Sequence, residues 1–143
     1  MKKFLMIALF TILGTGISNA QSYSGLGDQK ISIGFVPWGY GTGVTGLYDY
    51  GLSDLISIGA GGEFYFGGKE KDSDFYVFGR LNAHLGELLS LPSNIDLYPG
   101  VDVGFTDGLG IGGHLGFKYF FTNNIGAFIE AGSRGSLGIT IKL

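Results

Sequence analysis

Leu109-Gly-Ile-Gly-Gly-His-Leu-Gly-Phe-Lys-Tyr-Phe120 sets Leu109, Ile111, Leu115, Phe117 and Tyr119 on alternate positions and interleaves them with Gly110, Gly112, His114, Gly116 and Lys118. A period of two is the mark of a β-strand, since a helix would repeat its apolar residues at i, i+3 and i+4. Here one face is apolar throughout, and the other carries only glycine, charge, histidine and Phe120.

The same division extends outward in both directions. The alternation predicts eight strands, running approximately over 30–38, 43–50, 55–67, 75–86, 95–105, 109–120, 125–132 and 136–143. In the last six, the phase of Ile56, Phe64, Val77, Leu81, Val101, Ile111, Ile129 and Ile139 contains no charged residue. The opposite phase holds Glu63, Arg80, His84, Asp96, Asp102, His114, Lys118, Glu130 and Lys142, among many glycines that include Gly59, Gly61, Gly110, Gly112 and Gly116. A soluble barrel would dress that second face in Lys, Glu, Thr and Gln, because it would be the wet one. Small residues instead suit the crowded lumen of an eight-stranded closure, which leaves little more than side-chain room. The apolar face is then left for lipid, where only helices and closed barrels satisfy every backbone group. The expected fold is therefore all-β: a single closed antiparallel up-and-down barrel of about eight strands, embedded in a membrane.

Composition points the same way. The 143 residues allow one domain, with 28 glycines, 15% aromatic and only 15% charged residues. Soluble domains carry about 25% charge and about 7% glycine. Three prolines and no Gly-X-Y period exclude collagen. Lys2 and Lys3, the apolar run Phe4 to Leu13 and the small residues Ser18-Asn19-Ala20 read as a cleaved secretory signal over residues 1–20, with the barrel occupying 21–143. The apolar run is too short to span a bilayer as a helix, which takes about 20 residues. Loss of the signal leaves seven basic against twelve acidic residues, a net charge of −5, so nucleic acid is not an expected partner. With no cysteine there is neither a disulfide framework nor a lipid attachment site.

Ser53-Asp54, Ser93-Asn94 and Thr122-Asn123-Asn124 punctuate the ends of strands two, four and six as short polar turns. They fall on the side of the termini, where outer-membrane barrels place their short periplasmic connections. Gly39 to Thr42, Thr106 to Gly108 and Ser133 to Gly135 are tight opposite connections, while Gly68-Lys-Glu-Lys-Asp-Ser-Asp74 is a charged loop. Aromatics gather near strand ends at Tyr48, Tyr50, Phe64 to Phe66, Phe75, Tyr76 and Phe117 to Phe121, as two interfacial girdles would require.

Tyr48-Asp-Tyr-Gly-Leu-Ser-Asp-Leu-Ile-Ser-Ile-Gly59 and Tyr119-Phe-Phe-Thr-Asn-Asn-Ile-Gly-Ala-Phe-Ile-Glu-Ala-Gly132 resemble the strand-turn-strand units of small outer-membrane β-barrel proteins from Bacteroidetes. Gln21-Ser-Tyr-Ser-Gly-Leu-Gly-Asp-Gln-Lys30 is similar to the start of an uncharacterised family within that group. The resemblance implies an outer-membrane location, with membrane lipid and the barrel-insertion machinery as partners. One departure is the end: such barrels often finish on Phe or Tyr, and this chain finishes on Leu143.

Candidate chemistry is sparse. Gly41-Thr-Gly-Val-Thr-Gly46 matches the dinucleotide fingerprint, but an alternating strand follows it where a helix is needed. His84 and His114 share a phase with Glu63, Asp96 and Asp102, yet no spacing marks a metal site. A hydrolase needs a serine beside a histidine held by a carboxylate. Ser57 and Ser136 are the only strand serines in the lumen phase of those six strands, and neither stands two residues from a histidine. The expectation is a non-catalytic structural or interaction barrel with no cofactor or metal. Glu63, Arg80, His84, Asp96, Asp102, His114, Lys118 and Glu130 would form an ion-pair network in its lumen. A narrow passive pore is the first alternative, with Tyr65, Tyr76, Phe78, Tyr98 and Phe128 in place to plug it, and a soluble periplasmic ligand-binding barrel is the second.

Overall fold

The computed structural model describes residues 21–67 and 74–143. The signal expected over 1–20 and most of the charged loop at 68–74 lie outside the described residues. Eight strands form in sequence order: β1 (Gln29–Trp38), β2 (Thr42–Gly51), β3 (Ile56–Gly67), β4 (Phe75–Ala83), β5 (Ile95–Thr106), β6 (Gly108–Phe120), β7 (Ile125–Gly132) and β8 (Gly135–Lys142). Each pairs antiparallel with the next, and β8 returns to β1, so the sheet closes as an up-and-down barrel with no free edge. Among the described residues no helix is long and apolar enough to cross a membrane.

The alternation sorts side chains as the sequence predicts, except that Tyr119, in the outward phase, is buried beside Phe121, ring centroids 5.2 Å apart. Ile111 is 71% exposed, Phe64 56% and Val101 55%, and Ile33, Phe66, Val77, Leu115, Ile129 and Ile139 likewise face outward. Lys118 is 1% exposed and Arg80 4%, and Lys30, Asp49, Glu63, Asp96, Asp102 and Glu130 are buried with them. Lys, Glu, Arg and Asp are almost never fully buried unless paired. The girdle aromatics divide between the faces: Tyr48, Phe64, Phe66, Phe75, Phe117 and Phe121 are exposed, while Tyr65, Tyr76, Tyr119 and Phe120 are buried.

Two of the three turns at the termini end form through the expected residues. Ser53 Oγ accepts from the amides of Leu55 and Ile56 at 3.3 and 3.0 Å, and Thr122 Oγ1 from those of Asn124 and Ile125 at 3.2 and 3.0 Å. The third departs from expectation. Strand four ends at Ala83 rather than Gly86, and residues 84–94 form a longer connection instead of a short turn at Ser93-Asn94. Its first part coils as a helical turn, with Leu89 N donating to Leu85 O at 2.9 Å and Leu91 N to Gly86 O at 2.8 Å. Pro92 has no N–H to offer a ladder, so pairing resumes only after it. Gly41 to Gly46 runs into β2, so no helix follows the fingerprint.

Candidate functional site

The lumen is filled in three tiers. In the middle, Arg80 from β4 holds Asp49 of β2 with both ends of a fork, Nε to Oδ1 at 3.0 Å and Nη2 to Oδ2 at 3.1 Å. Its Nη1 donates to Glu130 Oε1 of β7 at 3.0 Å. Tyr98 donates its hydroxyl to Glu130 Oε2 at 2.8 Å, and Lys118 Nζ lies 3.6 Å from Asp49. Ions this deep are tolerated only when every charge has a partner and further hydrogen bonds.

Glycines make these reaches possible. In register, Gly59 stands between Asp49 and Arg80, and Gly116 between Tyr98 and Glu130. A Cβ on Gly59 would sit 2.2 Å from Asp49 Oδ1, and one on Gly116 would sit 2.2 Å from Tyr98 Cζ. The glycine strand is thus a gap across which side chains of its two neighbours meet. Gly100, between Asn82 and His114, repeats the device for the 2.7 Å contact of His114 Nε2 with Asn82 Oδ1.

The tier away from the termini is built around Arg134, from the tight β7–β8 connection. The sequence assigned it no partner, yet it turns into the mouth, with Nη2 2.7 Å from Asp102 Oδ2 and Nη1 3.3 Å from Glu63 Oε1. Its guanidinium lies 4.5 Å from the Tyr76 ring and 4.6 Å from that of Phe78, a cation–π arrangement that seals the mouth. His114 Nδ1 reaches Asp102 at 3.2 Å, and Tyr65 donates to Glu63. Between these tiers the lumen keeps a cavity of only about 10 Å³.

At the termini end, residues before β1 fold under the barrel. Ser22 N donates to Ser93 O at 2.8 Å, and the Tyr23 hydroxyl is shared by the carbonyls of Ser53 and Ile56 at 2.5 and 2.8 Å. Lys142 Nζ donates to Gln21 O at 2.9 Å and lies 3.1 Å from Asp28. Burial would raise the Asp28 carboxyl, but the paired Lys30 ammonium and the Ser24 amide and hydroxyl outweigh it and hold the group at about 2. Burial, with the nearby Asp28, Asp96 and Asp54 charges, pushes the Tyr23 phenol up to about 12.

Above this strap, Ser57 Oγ is 2.6 Å from His84 Nε2, and His84 Nδ1 is bonded to Asp96. The Tyr23 ring lies flat on the imidazole, centroids 3.7 Å apart and planes 7° apart. Beside them opens a polar pocket of about 450 Å³ whose lining includes Ser22, Tyr23, Asp54, His84, Glu87 and Asp96.

All eight residues expected in the network therefore line the lumen; Asn82, which donates to Asp49 at 3.4 Å and meets His114 at 2.7 Å, joins the middle and outer tiers, so that of the eight His84 and Asp96 alone stand apart. Asp49, Arg134, Asp28 and Lys30 join the eight unforeseen. Lys30 and Asp49 were legible, since each follows the inward phase of its strand, whereas Arg134 sits in a turn where alternation says nothing. Among the described residues no group of three His, Cys, Asp or Glu side chains has a geometry able to hold a metal ion.

A sequence model of the family of unknown function DUF6646 matches residues 13–136. The chain belongs to that family. Its fold is similar to a solved structure from the de novo design of transmembrane β-barrels, with a TM-score of 0.67 at 13% identity, covering 84% of this chain and 98% of that one. No curated protein matches it significantly. At that identity the likeness concerns the barrel alone, so the lumen clusters and the pocket of this DUF6646 member rest on its own residues.

Proposed function

We propose that the chain is a small outer-membrane β-barrel protein of Gram-negative bacteria, of the Bacteroidetes type, exported on its N-terminal signal and seated in lipid by the insertion machinery. Its role is structural or in interactions at the membrane rather than in solute passage. The observation that carries this reading is the inversion of the surface, with Ile111, Val101 and Phe64 outside and Lys118, Arg80 and Asp96 within. Contiguous exposed apolar surface beyond a few hundred Å² is rare on soluble monomers, whereas an outward apolar band is what a barrel offers to lipid. A soluble ligand-binding barrel would need the opposite faces.

The lumen argues against a pore. The cavity between the middle and outer tiers is about 10 Å³, roughly what one water needs, and Arg134 lies against Tyr76 and Phe78 at one mouth while Tyr23 and the strap lie across the other. Fractionation of the native host tests the location. Recovery in the outer-membrane fraction, released only by detergent and migrating differently before and after boiling, is expected; recovery in the soluble periplasm would overturn the reading. Planar-bilayer recordings of the purified barrel are expected to show no discrete conductance steps.

A further inference from the structure

We propose that Ser57, His84 and Asp96 form a serine acyl-transfer site at the termini end of the barrel, kept shut by Tyr23 and taking short-chain carboxylic esters. The three side chains come from the start of β3, the residue after β4 and the start of β5, which the barrel brings side by side at one rim. An ionised Asp96 accepts from His84 Nδ1, and in the neutral imidazole Nε2 is then the acceptor. The 2.6 Å contact is therefore a hydrogen bond donated by Ser57 Oγ to His84 Nε2. That is the order of roles required of nucleophile, base and orienting carboxylate.

The surroundings fit the chemistry. Lys30 Nζ lies 5.0 Å over the Tyr23 ring and Lys118 Nζ 4.7 Å over the Tyr98 ring, the two rings stacked against His84 at 3.7 and 5.7 Å. Two ammonium groups, Lys30 paired with Asp28 and Lys118 near Asp49, thus flank the aromatic stack around His84. The 450 Å³ pocket, with His84 and Asp96 in its lining, has room for a small polar molecule rather than a two-chain lipid. Ser57 is 1% exposed and does not line that pocket. Attack therefore requires the Tyr23 ring to lift from the imidazole.

In the reaction, Ser57 Oγ bonds to the ester carbonyl carbon while its proton passes to His84 Nε2. The carbon–oxygen bond to the alcohol then breaks, the alcohol leaves with that proton, and Ser57 is acylated. Water, deprotonated by His84, releases the carboxylic acid and restores the hydroxyl.

A fluorophosphonate probe tests this directly, because it replaces its fluoride with Ser57 Oγ and leaves a stable adduct. The full barrel is refolded in detergent, incubated with the probe, and read by intact mass and peptide mapping, with the heat-modifiable gel shift confirming the fold of each variant. Labelling is expected at Ser57, several-fold faster in Tyr23→Ala. It should be slower by about a hundredfold in His84→Gln, the usual worth of a general base. Hydrolysis of p-nitrophenyl acetate should follow the same order and vanish in Ser57→Ala. If folded wild-type protein and folded Tyr23→Ala both stay unlabelled at Ser57, or labelling proceeds unchanged in His84→Gln, the assignment is overturned.

Discussion

Replacing Arg80 by Met keeps the length of the stem and removes the guanidinium from the centre of the lumen. Two carboxylates then lose charged partners: Asp49, held by paired bonds of 3.0 and 3.1 Å, and Glu130, held at 3.0 Å. Hydrogen bonds to charged groups contribute about 1.5–3 kcal/mol each. Lys118, 3.6 Å from Asp49, and the Tyr98 hydroxyl, 2.8 Å from Glu130, offset part of the loss. The expected cost is about 3–5 kcal/mol, the range for breaking a buried pair on one side. Adding Glu130→Gln removes one orphaned charge while leaving an acceptor for Tyr98, so the double variant should regain about 1 kcal/mol or more, as coupled neighbours do. Urea unfolding of detergent-refolded protein, followed by the fluorescence of its one tryptophan, Trp38, measures both. A cost for Arg80→Met at or below about 1 kcal/mol, the worth of an exposed ion pair, would refute a buried network.

Gly116→Ala should destabilise the barrel by about 2–3 kcal/mol through overpacking, because the new methyl meets the fully buried Tyr98 ring at 2.2 Å. Gly112→Ser should be mild, since its nearest neighbour, Asp102 Oδ2, stands 3.1 Å away and can accept from the new hydroxyl; equal midpoints for the two variants in urea would contradict the packing. At the strap, the folded-state value of Asp28, about 2, lies below its ordinary 3.8. Its contribution is thus fully present above about pH 4 and is lost as pH falls toward 2, a change of about 2 kcal/mol. Asp28→Asn should remove that part of the acid sensitivity, and parallel acid titrations of wild type and variant would show the reasoning to be mistaken.

Much of this architecture is written in the period of two. Leu109 to Phe120 fixes strand, face and neighbour type together, because every second residue either meets the packed lumen or does not. Strand ends were less legible where local chemistry competes: Gly86-Glu-Leu-Leu coils into a helical turn, and Pro92 delays the ladder, so the strand ending at Ala83 looked three residues longer. The lumen residues were visible, but their partners were not. Alternation says that Arg80 points inward, whereas its choice of Asp49 and Glu130 depends on the gap at Gly59 and on curvature that closes the sheet. Ser57 and His84 are 27 residues apart in sequence, and only the pairing of β3 with β4 brings them within a hydrogen bond. Arg134 lies in a turn, where no periodicity assigns a direction.

The absence of native cysteine makes single labels clean, and a label at Ile111 reports on the face that decides the whole account. Ile111→Cys carrying a small fluorophore, in protein refolded into phospholipid vesicles, should be quenched strongly by nitroxides on the acyl chains and weakly by iodide in the water. Strong quenching by iodide with none from the acyl-chain nitroxides would place that face in water and contradict the membrane barrel.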